Sequence, residues 1–346
     1  MEAESASAAS PLETMFRLIT GYWVSQALGT VSELALPDRM ADAPRSAREL
    51  AVEVGCDADA LARLMRACAA VGIFQADGDG RFALAPLGHL LRAGVPGSMR
   101  DLAIAQTAPG HWLPWGRLRE AVRTGKRQTL SALGREIFDH YAHAPAEAAA
   151  FTAAMQNLSA LVAFEVANVV DLAGARRAVD VGGGEGTLVT ALVRANPSLH
   201  GVVLDLPHVV AAARAKLEAL GLARRVEVVA GDFFRSVPPA DVYLLKQVLH
   251  DWNDQQCRAI LERCAGGLSP GGRLLLVEMV IPDDGHPTAA QLLDLNMLVM
   301  LPGRERTRRE YADLLGSAGL HLERVLDTRS PFQIIEARAA RDPGRA

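Results

Sequence analysis

The 346-residue chain has little of what several protein classes require. Four cysteines, Cys56, Cys68, Cys257 and Cys264, form no C-x-x-C pair and no zinc-ligand spacing. That excludes a disulfide scaffold and a thiolate metal centre, and the thiols read as small buried apolar groups in a reducing compartment. Basic charge is not in excess: 36 Lys and Arg stand against 40 Asp and Glu, a formal net charge of −4. A protein that wraps nucleic acid would be basic. No run of 18 apolar residues exists, and the longest candidate, 158–172, is interrupted by Glu165, Asn168 and Asp171. The opening residues Met1-Glu2-Ala3-Glu4-Ser5 lack the charged-then-apolar pattern of a secretion signal. A cytoplasmic protein with no nucleic-acid, membrane or metal partner is the expectation.

What is present is ordinary globular composition, 50% hydrophobic and 22% charged. The length exceeds twice the roughly 150-residue span of one domain, so two domains are expected. Leu12, Met15, Phe16, Ile19, Tyr22 and Trp23 recur at helical spacing and define one apolar face. Aromatic residues so placed need cover from the chain's own body or from a second subunit. Residues 46–54, closed by Gly55, and 57–71 read as helix, turn, helix. The turn Asp77-Gly78-Asp79-Gly80 and the alternating Phe82-Ala83-Leu84 then read as a hairpin, which together outline a winged helix. It is not charged as a DNA reader: residues 45–100 carry seven basic against six acidic groups, a net of +1. Residues 98–172 read as helical, with breaks near Pro109-Gly110, Pro114 and Pro145.

From Arg176 the pattern changes to short β runs alternating with helices: 178–181, 202–204, 226–229, 242–245 and 274–277. That is the signature of βαβ units and a mostly parallel sheet, here followed by two β runs over 320–337 that suggest an antiparallel hairpin at the edge. The segment Gly182-Gly183-Gly184-Glu185-Gly186 sits after the first strand and before a helix, where such a sheet binds its ligand. Three cofactor classes compete for it. A triphosphate loop needs G-K-[ST], which is absent, and a dinucleotide loop needs Gly or Ala where this chain has Thr187. S-adenosylmethionine needs close backbone and an acid on its ribose. Asp205, 23 residues beyond Gly182 at a strand end, suits that ribose but would suit NAD equally. Gly231-Asp232-Phe233 separates them, because Asp232 can accept an adenine amino group while Phe233 offers a face to the purine.

These segments, Val179-Asp180-Val181-Gly182-Gly183-Gly184-Glu185-Gly186, Leu204-Asp205-Leu206-Pro207, Gly231-Asp232-Phe233-Phe234, Leu249-His250-Asp251-Trp252 and Gly303-Arg304-Glu305-Arg306-Thr307, resemble the plant-type, caffeate- and hydroxyindole-like O-methyltransferases. The similarity runs from about residue 11 to 338 and points to the bacterial natural-product branch. The resemblance implies an α/β fold: a Rossmann-like seven-stranded methyltransferase sheet over 173–340, a winged-helix dimerisation domain over 11–100, and a helical linker and lid over 101–172. It implies a homodimer whose N-terminal part closes over the partner's site. His250 is implied as general base, flanked by Glu278 and Glu305. Asp180, Gly182, Gly184, Asp205, Leu206, Gly231, Asp232, Phe233 and Lys246 are implied at the cofactor. A small aromatic or polyketide-type acceptor is implied, with Met155, Asn296, Met297 and Met300 as its candidate contacts.

The chemistry is sound on its own terms. Methyl transfer from a sulfonium is an in-line displacement, so alignment is most of the work. A phenol titrating near 10 keeps its proton at neutral pH, and a neutral imidazole backed by a carboxylate can take it, help worth about 10²- to 10⁴-fold. Glu278 within an apolar strand is itself informative, since a buried unpaired carboxylate is costly. Three readings compete: a dehydrogenase, an N-methyltransferase on a heteroaromatic ring, and a non-methylating relative that hydroxylates or decarboxylates. One departure stands out. The family places two glycines before E-R-T, and this chain has Pro302-Gly303, so the setting of the Glu305 loop is a point for the structure to decide.

Overall fold

A computed structural model describes residues 10–339 in two compact units, one holding the residues through Trp112 with Phe138–Asn157, the other Leu113–Ile137 with Leu158 onward. In the first unit, Ser10 and Glu13 form a capping box that starts the helix Pro11–Ile19. The expected single apolar helix is two segments, because the chain turns at Thr20, whose hydroxyl donates to Phe16 O at 2.8 Å, before Gly21–Glu33 resumes. Leu12, Phe16, Ile19, Tyr22 and Trp23 are all more than half exposed within the described chain.

The winged-helix outline is present. Ser46 and Glu49 cap Ala47–Val54, Gly55 ends it at φ +67°, and Asp57 starts Ala58–Ala70. Phe74–Ala76 and Arg81–Leu84 then pair as the hairpin, with Arg45–Ser46 as a third strand beside Arg81–Leu84. Leu50, Leu61, Met65, Phe74 and Phe82 fill the core beneath. The helical region breaks at Ala108 and Ala144, where the prolines led breaks to be expected, while Pro114 lies inside a helix. Pro109 and Pro145 open the helices Pro109–Trp115 and Pro145–Val169, where no amide hydrogen is missed. By length and composition Pro145–Val169 is apolar enough to cross a membrane. Its Val162, Ala163 and Val166 are instead buried in the core of the second unit.

The second unit is built on seven strands: β1 (Arg177–Val181), β2 (His200–Asp205), β3 (Val226–Ala230), β4 (Ala240–Lys246), β5 (Leu268–Glu278), β6 (Leu320–Asp327) and β7 (Gln333–Ala339). Their order is β6-β7-β5-β4-β1-β2-β3. The five from β1 to β5 are parallel, and β7 pairs antiparallel with both β5 and β6. The central strands are buried on both faces by helices, which is why 242–245 and 274–277, with Leu244, Leu245, Leu274 and Leu276, read as unbroken apolar runs. This arrangement brings the carboxyl ends of β1, β2, β4 and β5 to one edge, with Val181 beside Leu204 and Lys246 beside Val277 in register. A second, two-residue parallel bridge joins Arg306–Thr307 to Val280–Ile281 just beyond β5.

Candidate active site

At the end of β1 the chain passes through Gly182 and Gly184 at φ +68° and +57°, the left-handed region that favours glycine. A Cβ on Gly184 would meet only open space, whereas one on Gly182 would stand 3.2 Å from Val248 Cγ2. Asp205, closing β2, accepts the Gly184 N–H at 2.8 Å and the Leu206 N–H at 2.7 Å. Its carboxylate is thereby held against the glycine turn, with lone pairs remaining for a vicinal diol. Beyond β3, Asp232 accepts the Phe234 N–H at 2.9 Å, and the Phe233 ring stands edge-on to Trp252 with centroids 6.3 Å apart. The Lys216 ammonium donates to Glu185 and Thr187 at 3.1 and 3.0 Å. The lysine that reaches this loop is thus taken up by the loop itself rather than left for a phosphate chain. This donor set fits a nucleoside-type cofactor without a pyrophosphate, as S-adenosylmethionine is.

Asp180 is buried inside β1 and accepts the Val189 N–H at 3.3 Å. Burial pushes its carboxyl up to about 7, opposed by that amide and by the Lys246 ammonium. Lys246 ends β4 and donates to Gln247 Oε1 at 3.1 Å. Burial holds its ammonium below the usual lysine range, against the pull of Glu278, Asp180 and Asp251.

Directly after β4, Gln247 adopts φ +51° and Leu249–Asp251 form one 3-10 turn. A side chain in left-handed backbone is a strained exception, and here it bends the chain out of the strand and into the turn that carries His250. His250 is 7% exposed. Its Nδ1–H donates to Glu305 Oε1 at 2.7 Å, and its Nε2 lies 3.3 Å from Asp251 Oδ1. Glu305 is itself set from behind, its backbone N–H donating to Asp294 Oδ1 at 3.0 Å. Glu278, the last residue of β5, is fully buried and accepts the Leu249 N–H at 3.1 Å.

A carboxylate only accepts, so Nδ1 of His250 carries a proton toward Glu305, and when the ring is neutral its lone pair is at Nε2. Burial alone would lower the imidazole pKa, but Asp251, Glu305 and Glu278 outweigh it and push it up to about 9. Glu278 is in turn pushed up to about 7, mainly by burial, with Glu305 and Asp251 adding and His250 opposing. Donor atoms of His250, Glu278 and Glu305 lie within 4.8 Å of one another. The group can accept a proton at Nε2 and hold the resulting imidazolium among carboxylates.

The Glu305 loop keeps its place beside His250 despite Pro302. Gly303 makes this possible: a Cβ there would stand 1.8 Å from His250 O and 2.5 Å from the Asp251 carbonyl carbon. The candidate acceptor residues divide. Asn296 accepts the Trp115 indole N–H at 2.8 Å. Met297 and Met300 are buried in the second unit, and Met155 belongs to the first. Asp294, two residues before Asn296, holds the Glu305 amide. The roles of Gly303 and Arg306 were not legible in the sequence, because both act on backbone some fifty residues away.

Residues 115–321 match the family described as O-methyltransferase domain, and residues 16–94 match the O-methyltransferase dimerisation domain. A phenazine O-methyltransferase of Lysobacter antibioticus is 37% identical over 340 residues, covering 98% of this chain and 99% of the relative. An 8-amino-8-demethylriboflavin N,N-dimethyltransferase of Streptomyces davaonensis is 36% identical over 320 residues, covering 91% of this chain and 92% of the relative. Human N-acetylserotonin methyltransferase, whose crystal structure contains S-adenosylmethionine, superposes with a TM-score of 0.88 at 29% identity, over 97% of this chain and 99% of that one.

Proposed function

The chain belongs to the S-adenosylmethionine-dependent O-methyltransferase family, and from that premise we propose that it methylates a hydroxyl on a small, flat aromatic natural product with His250 as the general base. When bound, the cofactor supplies a methyl group on a sulfonium. Asp205 would hold its ribose and Asp232 its adenine, with Gly182 and Gly184 in the turn beside them and Asp180, Leu206, Gly231, Phe233 and Lys246 completing the cradle. His250 Nε2 receives the acceptor's hydroxyl proton. In the neutral ring Glu305 fixes the proton at Nδ1 and so leaves Nε2 as the acceptor, and Glu278 and Asp251 stabilise the imidazolium that forms. The observation that carries this reading is the 2.7 Å bond between His250 Nδ1 and Glu305 in a buried setting.

The substrate class rests on the relatives, whose names specify a phenazine and an acetylserotonin. Asn296, Met297, Met300 and Met155 are proposed around the acceptor, and the divisions 11–100, 101–172 and 173–340 as functional segments. Two copies pair through the exposed face of Phe16, Ile19, Tyr22 and Trp23, which lies in the segment matched to the dimerisation domain. The riboflavin relative supports a second reading, methylation of an aromatic nitrogen. Incubation with S-adenosylmethionine and a panel of phenols and aromatic amines decides between them. Mass spectrometry should show a gain of one methyl on phenols, and the carbon shift of the new group should be that of a methoxyl. Turnover of the amines alone would overturn the hydroxyl assignment.

A further inference from the structure

Among the described residues the largest fully buried side chain is a cation that the acid–base scheme leaves unused. Arg306 is 1% exposed. Its Nη1 donates to Leu249 O at 3.1 Å and to Arg304 O at 3.3 Å, and its Nη2 donates to Trp252 O at 3.0 Å. Nη2 and Nε both reach Asp254 Oδ1, at 2.7 and 3.1 Å, and Nη2 also faces the Cys257 sulfur at 3.5 Å. The carbonyls of Leu249 and Trp252 bracket His250 and Asp251, so one guanidinium grips the catalytic turn on both sides. Leu249 is also the residue whose N–H is held by Glu278. Arg306 follows Glu305 directly and pairs in register with Val280, two residues beyond Glu278.

We propose that Arg306 is the positioning residue for His250, tying the turn that carries the base to the two segments that carry its carboxylates. This rests on the reading of His250 as base. The rigid planar fork explains why arginine is used: it spans two carbonyls and a carboxylate at fixed angles, which a lysine ammonium cannot do. An arginine buried for charge balance alone would need only Asp254. Here the bonds to backbone carbonyls at 249, 252 and 304 fix geometry.

The test compares Arg306→Lys and Arg306→Ala with His250→Ala. Asp251, Glu278 and Glu305 act on the imidazole electrostatically, Lys246 and Tyr311 act on those carboxylates, and all five stay unchanged in both arginine variants. With a folded protein by circular dichroism, Arg306→Lys should lower kcat by about 10²-fold, the effect of a misplacement on the order of 1 Å. Calorimetric affinity for S-adenosylmethionine should stay within threefold. In the protein labelled at histidine Cε1, the His250 resonance should titrate at lower pH than in the parent, because the ring no longer sits on its carboxylates. Guanidinium added to Arg306→Ala should restore at least tenfold of the lost kcat. A folded Arg306→Lys with kcat within threefold and an unmoved His250 titration overturns the proposal while leaving the base assignment intact. So does a loss of cofactor affinity as large as the loss of kcat. Full turnover by His250→Ala overturns the base assignment, and the positioning role with it.

Discussion

Replacing Gly303 with alanine asks how much the chemistry depends on the approach of two loops. The added Cβ would stand 1.8 Å from His250 O, and real Cβ contacts stop near 3.0 Å, so the loop must retreat by about 1.2 Å. Backbone lies on the far side of the contact, and no flexible side chain can absorb the shift. Glu305 is two residues along. A displacement of that size takes its 2.7 Å bond to His250 Nδ1 beyond hydrogen-bond reach. A charge-assisted bond of this kind contributes about 1.5–3 kcal/mol. Misplacement of reacting groups by about 1 Å costs about 10²-fold. At about 1.4 kcal/mol per decade the lost bond alone corresponds to about 10- to 10²-fold, and with the misplacement kcat should fall by about 10²-fold. The assay is methyl transfer from labelled S-adenosylmethionine, with calorimetry for cofactor affinity, which should change less than threefold because the Asp205 and Gly184 contacts are remote from this loop. A Gly303→Ala enzyme with kcat within threefold of the parent refutes the argument.

Other outcomes follow from the same geometry. His250 is pushed up to about 9 by its carboxylates, and only the neutral ring accepts a proton, so kcat/KM should rise with pH toward about 9. In Glu305→Gln the rise should move toward the ordinary histidine value near 6.5, and an unmoved profile would show that Glu305 does not govern the base. Asp205→Ala removes the acceptor that anchors the Gly184 turn. Calorimetry should record at least tenfold weaker cofactor binding, and unchanged affinity would remove Asp205 from the cradle. Phe16→Glu with Trp23→Glu should convert a dimer of roughly twice 36.9 kDa into monomer by light scattering. A parent protein that is already monomeric would contradict pairing through that face.

The fold was largely legible because its signals are local and periodic. Apolar runs of four or five residues separated by helix-length spacings place β1 to β5, and glycine at positive φ marks the ligand loop. His250, Glu278 and Glu305 were legible as a set through motif resemblance. Their division of labour was not: Glu305 holds the imidazole, while Glu278 holds the Leu249 amide one residue earlier. Nothing in a linear spacing says which of two acids reaches a ring. The Trp115–Asn296 bond joins positions 181 apart, and Gly303 is required by a neighbour's backbone rather than by its own φ. Pro109 and Pro145 do mark helix boundaries, each opening the helix that follows the break, whereas Pro114 lies within one.

The central claim is that His250 Nε2 takes the acceptor's proton. His250→Ala, assayed for methylated product by mass spectrometry beside calorimetry with S-adenosylmethionine, tests it most directly. Turnover should fall by about 10²- to 10⁴-fold with cofactor affinity within threefold of the parent. Turnover within threefold of the parent on the same phenolic acceptor would contradict the account.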